Sequence, residues 1–405
     1  MAVVYTSDST PMVSYINTHA ALEQRRTLAE EDLENKRRGP RCMIVGAADV
    51  GKSRVSQTLI NYAVRRGRKP LLVDLDCGQG AVTVPGTISA ALFERPTEPE
   101  LGMTNSTPLC YHYGCTTPER KETHYKYIVE ALAKGLDERC LKDDKVRSAG
   151  YIINTPAWVT GNGTTLLKHM VTALKVDVIL VLDHERLYSE LSRWAAKENE
   201  KHAQAVEQLV EKEQADRLKD APAPGTEDAG ARDKDYFDKY YNIELVRLSK
   251  SGGVVTRPEP YRHDERSAQI RQYFYGHPVT KDDKIIGSTL FPHSLVVPFD
   301  SVKVFKIGAP PVPQWCLPAG EDPTKNETQA TPVELTQELA HSLLSVSSAP
   351  MSEGIDIDAI VNYSVQGFVY VTSVNMEDST ITLLSPSPGG LPGEVLLKGE
   401  ITWVE

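Results

Sequence analysis

Apolar residues in the first part of the chain occur in short runs that alternate with stretches of helical period. The run that ends at Ile44 and Val45 is followed by apolar positions spaced three or four apart through Ser53 to Arg65. A second apolar run, Leu71 to Asp76, ends in acidic residues. Buried parallel strands show continuous apolar runs, whereas a helix that packs on them shows a period of 3.6. The order strand, helix, strand therefore predicts a parallel α/β sheet with right-handed crossovers.

The same pattern continues further along the chain. Tyr151 to Thr155 and Val176 to Asp183 are apolar runs, and the segment from Leu166 to Leu174 keeps a helical period between them. Ile243 to Leu248 adds another strand. Each run ends in polar residues, and open α/β sheets place their ligands beyond the carboxyl ends of the strands. The pattern predicts a parallel sheet flanked by helices, with a ligand site at that edge.

The pattern of apolar residues changes after Phe291. Short segments rich in β-branched residues alternate with Pro and Gly turns, which predicts a small C-terminal β-rich domain over residues 290–405. A polar, Pro-containing stretch at 318–335 is expected to form a loop within it. The predicted strands are Ser294–Val297, Val302–Ile307, Phe368–Thr372, Thr380–Leu384 and Glu394–Leu397.

Two further segments complete the predicted organisation. A helix from Ala20 to about Lys36 leads into the sheet, so residues 1–40 form a leading region before a domain at 41–289. Residues 194–240 are rich in Glu, Lys, Ala and Gln, and then in Pro and acidic side chains. Such a composition predicts an exposed helix followed by a disordered loop, with a docking arm as the functional alternative.

The loop between the first strand and the first helix of the sheet carries the strongest chemical signal. Gly46 to Ser53 reads G-x-x-x-x-G-K-S, the phosphate-binding or Walker A pattern. Glycines let the backbone approach an oxygen cluster, and the helix presents unpaired N–H groups and the positive end of its dipole to an anion. Lys52 is expected to reach the β- and γ-phosphates of a nucleotide, and the Ser53 hydroxyl to ligate Mg²⁺. The sheet is therefore predicted to be P-loop kinase-like.

Composition narrows the remaining classes. The 405-residue chain has a net charge of −10, which excludes a generic basic nucleic-acid binder and requires any RNA contact to use a local basic patch. No two of its six cysteines form a C-x-x-C pair, so reduced thiols are expected instead of a disulfide scaffold or a zinc site. No run of about 18 apolar residues occurs, and we expect no membrane span.

Several motifs accompany the phosphate loop. They are Asp74–Gly80, Val84–Thr87, Ile153–Thr155 with Trp158, Leu182–Tyr188, Lys250–Val255, Ile270–Gly276 and Leu343–Val346. Together they resemble the eukaryotic polyribonucleotide 5′-hydroxyl kinase family, whose members also serve as the ATP-binding subunit of the pre-mRNA cleavage and polyadenylation factor. The resemblance runs from about Thr10 to the end of the chain and is interrupted by the 194–240 insert. Members carry an N-terminal β-rich domain, which the resemblance implies is missing before the helix that starts at Ala20.

The resemblance also implies a function, partners and a compartment. It implies phosphate transfer from ATP, with Mg²⁺, to the 5′-hydroxyl end of RNA in pre-mRNA 3′-end processing and in tRNA splicing. The expected partners are the scaffold subunit of the cleavage factor and the tRNA splicing endonuclease, in the nucleus. The alternative is a catalytically silent ATP-binding scaffold subunit, because some fungal relatives hold ATP without turning it over. A simple GTPase is disfavoured, since no N-K-x-D motif follows the strand at Val176–Asp183.

The candidate site residues follow from the motifs. The ATP-binding set is Gly46, Asp49, Val50, Gly51, Lys52, Ser53 and Arg54, the last standing where Thr is usual in the family. Asp76 ends the second predicted strand, and the resemblance makes it the general base for the RNA hydroxyl and, with Ser53, a ligand of Mg²⁺. Asp74, inside the strand, is expected to be a structural partner.

The remaining candidates lie in loops and in one helix. The RNA-binding set is Gln79, Thr117 and Trp158, of which Trp158 is expected to stack on a base. His112 and Thr116 are further candidates in the loop of Thr117. Arg266 and Arg271 lie in a predicted amphipathic helix and match two lid arginines of the family. We expect both to cover the phosphates in the transition state, with a solvated helix face as the alternative. The catalytic set is Lys52, Asp76, Arg266 and Arg271.

Overall fold

The computed structural model describes residues 10–32, 37–97, 103, 107–217, 241–281, 284–308, 327–350 and 357–404. The chain divides into two units, each made of several segments. Unit 1 comprises Met1–Leu72, Phe93–Pro96 and Asp137–Val255, and unit 2 comprises Val73–Leu92, Thr97–Leu136 and Thr256–Glu405.

Helices and strands alternate in the first two-thirds of the chain, and strands dominate the rest. The helices are α1 (Met12–Glu31), α2 (Lys52–Arg65), α3 (Glu122–Lys142), α4 (Asp144–Ala149), α5 (Asn162–Ala173), α6 (Glu185–Arg217) and α7 (Glu259–Tyr275). The strands are β1 (Arg41–Val45), β2 (Leu71–Asp74), β3 (Thr87–Leu92), β4 (Leu109–His112), β5 (Tyr151–Asn154), β6 (Val178–Leu182), β7 (Glu244–Leu248), β8 (Pro278–Lys281), β9 (Lys284–Ser288), β10 (His293–Pro298), β11 (Lys303–Ile307), β12 (Ala330–Pro332), β13 (Ser342–Ser347), β14 (Val365–Asn375), β15 (Thr380–Ser385) and β16 (Val395–Thr402).

Unit 1 is organised around parallel strands in the order β5-β1-β6-β7. Met43 at the centre of β1 pairs with Ile153 on one side and Ile179 on the other. Every residue of β1, β5 and β6 is buried, which explains why these strands appear in the sequence as continuous apolar runs. Leu71 and Leu72, the first half of β2, also belong to this unit. The predicted parallel α/β fold class is confirmed.

The leading helix differs from its prediction. It begins at Met12, directly after Pro11, and ends at Glu31, whereas the sequence predicted a start at Ala20 and an end near Lys36. Its buried face consists of Tyr15, Thr18, Leu22, Arg26 and Ala29. Because two of these five residues are polar, the apolar pattern did not reveal the helical period before Ala20. The Arg26 guanidinium is fully buried and donates to the carbonyl oxygen of Ala149 at 2.9 Å.

The helix α6 confirms the first part of the predicted insert. Leu187, Leu191 and Ala195 are buried at its start, and its later described residues are mostly exposed. The loop predicted for the end of the insert falls on residues 218–240, which lie outside the described residues. None of the helices in the described ranges is long and apolar enough to cross a membrane.

Unit 2 contains the second half of β2, the antiparallel pair β3 and β4, and a seven-stranded C-terminal sheet. The sheet has the order β10-β15-β14-β13-β16-β11-β12, and its pairs are antiparallel except for β11 with β16. The five predicted C-terminal strands are confirmed. The predicted loop at 318–335 is wrong where β12 lies, and residues 318–326 lie outside the described part of the chain. A strand of three residues leaves too short a pattern for detection.

The helix α7 packs on this sheet through apolar residues. Ile270 and Phe274 lie in one cluster with Phe368, Tyr370 and Trp403. The Phe274 and Trp403 rings stack with their centroids 5.8 Å apart. The predicted amphipathic helix is therefore confirmed, and its apolar face is fixed on the C-terminal strands of unit 2.

Candidate functional site

The phosphate loop of unit 1 connects β1 to α2. Gly51 precedes α2 with a φ of 92°, in the left-handed region that favours glycine. A Cβ atom at Gly46 would lie 3.0 Å from both the Leu182 carbonyl oxygen and the Val50 Cγ2, so this position also needs a small residue. The first turn of α2 contains no acidic side chain. The backbone N–H groups at this helix start and the positive end of the helix dipole therefore suit a phosphate group.

Lys52 is held within this loop. Its side chain is buried, and the ammonium group donates to the carbonyl oxygens of Gly46 at 3.0 Å and Ala47 at 2.8 Å. The cation is thus fixed beside the loop backbone, where a phosphate would need a positive charge. Ser53 follows it, partly exposed, in the first turn of α2. Arg54 is exposed and donates to the Gln57 side chain at 2.9 Å, along the surface of its own helix.

Trp158 belongs to unit 1 as well. It lies partly exposed in the loop between β5 and α5. A Cβ atom at Gly163 would lie 2.4 Å from the Trp158 carbonyl oxygen, so this glycine allows the loop to fold against the start of α5. At the start of the same loop, the Thr155 hydroxyl donates to the Ile44 carbonyl oxygen at 2.7 Å. The structure thus ties the loop of Trp158 to the strand that leads into the phosphate loop.

Asp76 lies in unit 2, two residues beyond the end of β2. The prediction that it ends the strand is therefore slightly wrong, because Asp74 already turns the chain. The buried Asp74 carboxylate accepts hydrogen bonds from the backbone N–H groups of Asp76 at 3.2 Å and Ala81 at 3.1 Å, which confirms its structural role. The Asp76 carboxylate is partly exposed and accepts the N–H of Gly78 at 3.0 Å.

The turn of Asp76 contacts the loop that follows β4. A Cβ atom at Gly78 would lie 2.9 Å from the Thr116 carbonyl oxygen and 3.2 Å from the Asp76 carboxylate, so only a glycine permits this approach. Asp76 and Gln79 on one segment and Thr116 and Thr117 on the other are therefore brought together within unit 2.

His112 has a different place from the one predicted. It belongs to β4 and is buried, with its Nδ1 atom 2.7 Å from the Ser345 hydroxyl oxygen. Burial and the nearby His124 and Lys121 lower the pKa of His112 to about 3, so the ring is neutral at physiological pH. Its neighbour Gly114 accepts the N–H of Glu400 from β16 at 2.7 Å. His112 is therefore a buried link between β4 and the C-terminal sheet, away from the exposed loop residues.

The two arginines of α7 have partners on their own helix. The Arg266 guanidinium donates to the Glu259 carboxylate at 2.8 Å. The exposed Arg271 guanidinium lies 5.3 Å from the centroid of the Tyr275 ring. Five positions along a helix correspond to a rotation of about 140°, so the side chains leave the helix in different directions. The structure places both on α7 but does not bring them together.

Two buried tyrosines near these loops were missed from the sequence. Tyr113 and Tyr125 are fully buried, and their hydroxyl groups bond to the backbone of the Thr117 loop and of the Asp76 turn. The sequence around Tyr125 gives no sign of this role, because the Leu75 carbonyl lies 50 positions away. The partners of Tyr113 lie in the loop that follows it, but no residue pattern there marks the hydrogen bonds.

The described side chains offer a metal single oxygen atoms and no cluster of ligands. Across the described ranges there is no group of three or more His, Cys, Asp or Glu side chains that could hold a metal. Mg²⁺ in phosphoryl-transfer sites is bound through one or two protein oxygens, water and the substrate phosphates. Ser53 and Asp76 each carry such an oxygen and are partly exposed.

Comparisons with known proteins agree with the fold and with the phosphate loop. A family described as "mRNA cleavage and polyadenylation factor CLP1 P-loop" matches residues 46–220, and one described as "Pre-mRNA cleavage complex II protein Clp1" matches residues 290–405. The human protein named polyribonucleotide 5′-hydroxyl-kinase Clp1 is 39% identical over 403 residues, which cover 100% of this chain and 81% of the human one. The CLP1 homolog of Nematostella vectensis is 40% identical, with the same coverage of each chain.

A solved structure supports the fold independently. The wild-type Clp1p–Pcf11p complex contains a chain that superposes with a TM-score of 0.70 at 22% identity, over 99% of this chain and 81% of that chain. At this identity the likeness concerns the fold alone. The family predicted from the motifs is confirmed by the sequence matches.

Proposed function

The chain belongs to the Clp1 family of mRNA cleavage and polyadenylation factors, and we propose that it is an ATP-dependent polyribonucleotide 5′-hydroxyl kinase in pre-mRNA 3′-end processing. The observation that carries the proposal is the intact phosphate loop, in which buried Lys52 is fixed beside the loop backbone at the start of α2. A loop that only filled space would need neither a buried ammonium group nor a left-handed Gly51.

In this proposal the phosphate loop binds the donor. The backbone N–H groups at the start of α2 and the Lys52 ammonium neutralise the β- and γ-phosphates of ATP. Gly46, Asp49, Val50 and Gly51 shape the loop, and Arg54 lies at its outer side. Ser53 and Asp76 are the residues that would hold Mg²⁺, which supplies charge neutralisation at the transferred phosphoryl group.

The residues of unit 2 act on the acceptor. The Asp76 carboxylate takes the proton of the RNA 5′-hydroxyl, and the hydroxyl oxygen forms a bond to the γ-phosphorus. The bond between the γ-phosphorus and the bridging oxygen breaks, and ADP leaves with its electron pair. Gln79 and Thr117 contact the RNA end, and Trp158 of unit 1 stacks on a base.

Arg266 and Arg271 stabilise the charge of the transition state. Arg266 pairs with the exposed Glu259 carboxylate, and an exposed ion pair contributes little free energy, so exchanging it for a phosphate costs little. Arg271 is itself exposed and contacts the Tyr275 ring of the same helix. Contacts that form only in the transition state raise kcat more than they change binding.

The cellular setting is part of the proposal. We expect the protein to act in the nucleus and to bind the scaffold subunit of the cleavage factor, in line with the Clp1p–Pcf11p complex that shares its fold. Participation in tRNA splicing with the splicing endonuclease is a further expectation. The same complex favours a second candidate, an ATP-binding scaffold subunit without kinase activity.

One assay distinguishes the two candidates. The purified protein is incubated with ATP labelled at the γ-phosphate, Mg²⁺ and an RNA oligonucleotide that has a 5′-hydroxyl end. The controls are the same RNA with a 5′-phosphate and a DNA oligonucleotide of equal sequence. Label on the 5′-hydroxyl RNA alone is the expected result. Retention of ATP with no label on any oligonucleotide would contradict the kinase and support the scaffold.

A further inference from the structure

Tyr125 donates a hydrogen bond to the backbone of the Asp76 turn. Its side chain is fully buried at the start of α3, and its hydroxyl group donates to the carbonyl oxygen of Leu75 at 2.5 Å. Leu75 directly precedes Asp76, so this hydrogen bond fixes the peptide plane that enters the Asp76 residue.

Tyr113 supports the loop of Thr117 in the same way. Its hydroxyl oxygen lies 3.0 Å from the carbonyl oxygens of both Thr117 and Pro118, and it accepts the backbone N–H of Lys121 at 3.2 Å. The single hydroxyl group therefore closes the loop between β4 and α3 upon itself. A change at this hydroxyl would loosen the backbone on either side of Thr117.

The two tyrosines contact each other. Their ring centroids are 5.2 Å apart and their planes stand at 90°, the edge-to-face arrangement that aromatic pairs favour. Tyr113 also stacks on His124 at 5.8 Å. Because protein interiors are close-packed, one ring cannot shift without displacing the other. The Asp76 turn and the Thr117 loop are thus joined twice, through the backbone contact at Gly78 and through this pair of rings.

The hydroxyl groups act as neutral donors. Burial raises the pKa of both phenols above the usual value, for Tyr125 together with the nearby Cys77 and Asp76. Both stay protonated across the range in which the protein is folded, so neither can serve as a general base at neutral pH. Their contribution must come from position.

We propose that Tyr113 and Tyr125 are positioning residues that set the Asp76 turn and the Thr117 loop as one rigid element. The proposal rests on the proposed function, because it treats Asp76 as the base and Thr117 as an RNA contact. The rigid element keeps the base and the acceptor site at a fixed spacing, so that binding of the RNA end presents its hydroxyl to the carboxylate without further ordering.

The kinetic test uses substitutions that remove one hydroxyl group and keep the ring. Tyr125→Phe and Tyr113→Phe are each expected to lower kcat roughly tenfold, with the KM for ATP within about twofold of wild type. The double variant should lose less than the product of the two, because both act on one element. The pH profile of kcat should keep its shape, since no titrating group is removed. Tyr127→Phe is the matched control: it lies on the same helix, and its hydroxyl donates to the Asn362 side chain at 2.6 Å instead of to either loop.

A second readout needs no kinase activity. Amide hydrogen exchange is compared for residues 75–80 and 113–121 in wild type and in each variant, beside the melting temperature. Faster exchange in both segments after either single substitution is the expected result. Faster exchange confined to the segment whose hydrogen bond was removed would overturn the coupling, as would two additive losses of kcat. If the wild-type protein proves inactive, the proposed function fails, and the exchange data alone decide the coupling.

Discussion

The phosphate loop and the Asp76 turn are both short polar segments after a buried strand, but they are built differently. In the phosphate loop, Lys52 donates hydrogen bonds to carbonyl oxygens six and five positions earlier. The contacts that hold its ammonium group therefore lie within eight consecutive residues. In the Asp76 turn, the hydroxyl that fixes the Leu75 carbonyl comes from 50 positions away, and Gly78 meets the carbonyl oxygen of Thr116. The Lys52 ammonium of the first segment is thus held by local contacts, whereas the Leu75 carbonyl of the second is held by a residue that is distant in the sequence of unit 2.

This difference predicts where the two segments are vulnerable. Removal of the Tyr125 hydroxyl, 50 positions from Leu75, should disturb the Asp76 turn and leave the local Lys52 contacts of the phosphate loop in place. A substitution inside the phosphate loop should remove one charge or one close backbone contact and leave the fold unaffected.

The largest effect is expected from Lys52→Ala. The substitution removes the charge that bridges the phosphates, so phosphorylation of 5′-hydroxyl RNA should fall below detection. The melting temperature should change little, because the hydrogen bonds to the Gly46 and Ala47 carbonyl oxygens lie within the loop itself. Label transfer and circular dichroism of the same preparation check both statements. A soluble variant that transfers label at the wild-type rate would remove the loop from the mechanism.

The arginines of α7 come next. We expect Arg271→Ala, and to a similar degree Arg266→Ala, to lower kcat by about 10³-fold while ATP binding changes little, by analogy with arginine fingers. Single-turnover phosphorylation of 5′-hydroxyl RNA measures this. Glu259→Gln is the control, since it removes the partner of Arg266 but keeps the cation, and its rate should stay within about threefold of wild type. Wild-type rates in both alanine variants would mean that Arg266 and Arg271 lie on a solvated face of α7 and take no part in catalysis.

A smaller effect is expected from Gly78→Ala. The new methyl group would meet the Thr116 carbonyl oxygen at 2.9 Å, so the Asp76 turn must move away from the Thr117 loop. A displacement of this size costs about 10²-fold in kcat in a site that depends on position, with ATP affinity unchanged. Gly390→Ala is the control, because nothing lies within 4 Å of a Cβ atom there. If the Gly78→Ala variant retains the wild-type kcat, this contact does not fix the position of the Asp76 turn relative to the Thr117 loop.

The smallest effect at neutral pH concerns stability. His112 and His124 are buried with their pKa values lowered to about 3 and about 4, chiefly by desolvation. Below about pH 6.5 these histidines bind protons in the unfolded chain but stay neutral in the folded chain. The free energy of unfolding therefore decreases as the pH falls from about 6.5 towards the pKa values of the folded state. The loss should be about 1.4 kcal/mol for each histidine and pH unit.

Urea unfolding at pH 7.0 and 5.5 checks this prediction. His124→Gln should remove part of the pH dependence if the variant folds, because the pKa values of His112 and His19 are lowered as well. His263→Ala, at an exposed position, is the matched control variant. Equal stability of the wild-type protein at the two pH values would show that water reaches the buried rings.

The same contrast explains what the sequence could predict. The strands of unit 1 and the phosphate loop could be predicted, because each of them shows its pattern in a run of adjacent residues. Five of the C-terminal strands were predicted from short β-rich segments between Pro and Gly turns, whereas β13 was not predicted and β12 was too short for a pattern. The start of α1 was missed because Thr18 and Arg26 interrupt its apolar face. Tyr125 was missed because its hydrogen-bond partner lies 50 positions away in the sequence, and Tyr113 was missed because a tyrosine before a loop has no distinctive pattern.

The division of β2 has a consequence for the synthesis of the protein. The chain passes between the units after residues 72, 92, 96, 136 and 255. When the ribosome has delivered Val255, unit 1 is complete in sequence, but 150 residues of unit 2, from 256 to 405, are still untranslated. The nascent segment that holds Asp76 must therefore wait for β13 and β16, whose Ser345 and Glu400 anchor the β4 loop. A frameshift after Val255 would consequently remove the two strands that anchor the β4 loop beside the Asp76 turn.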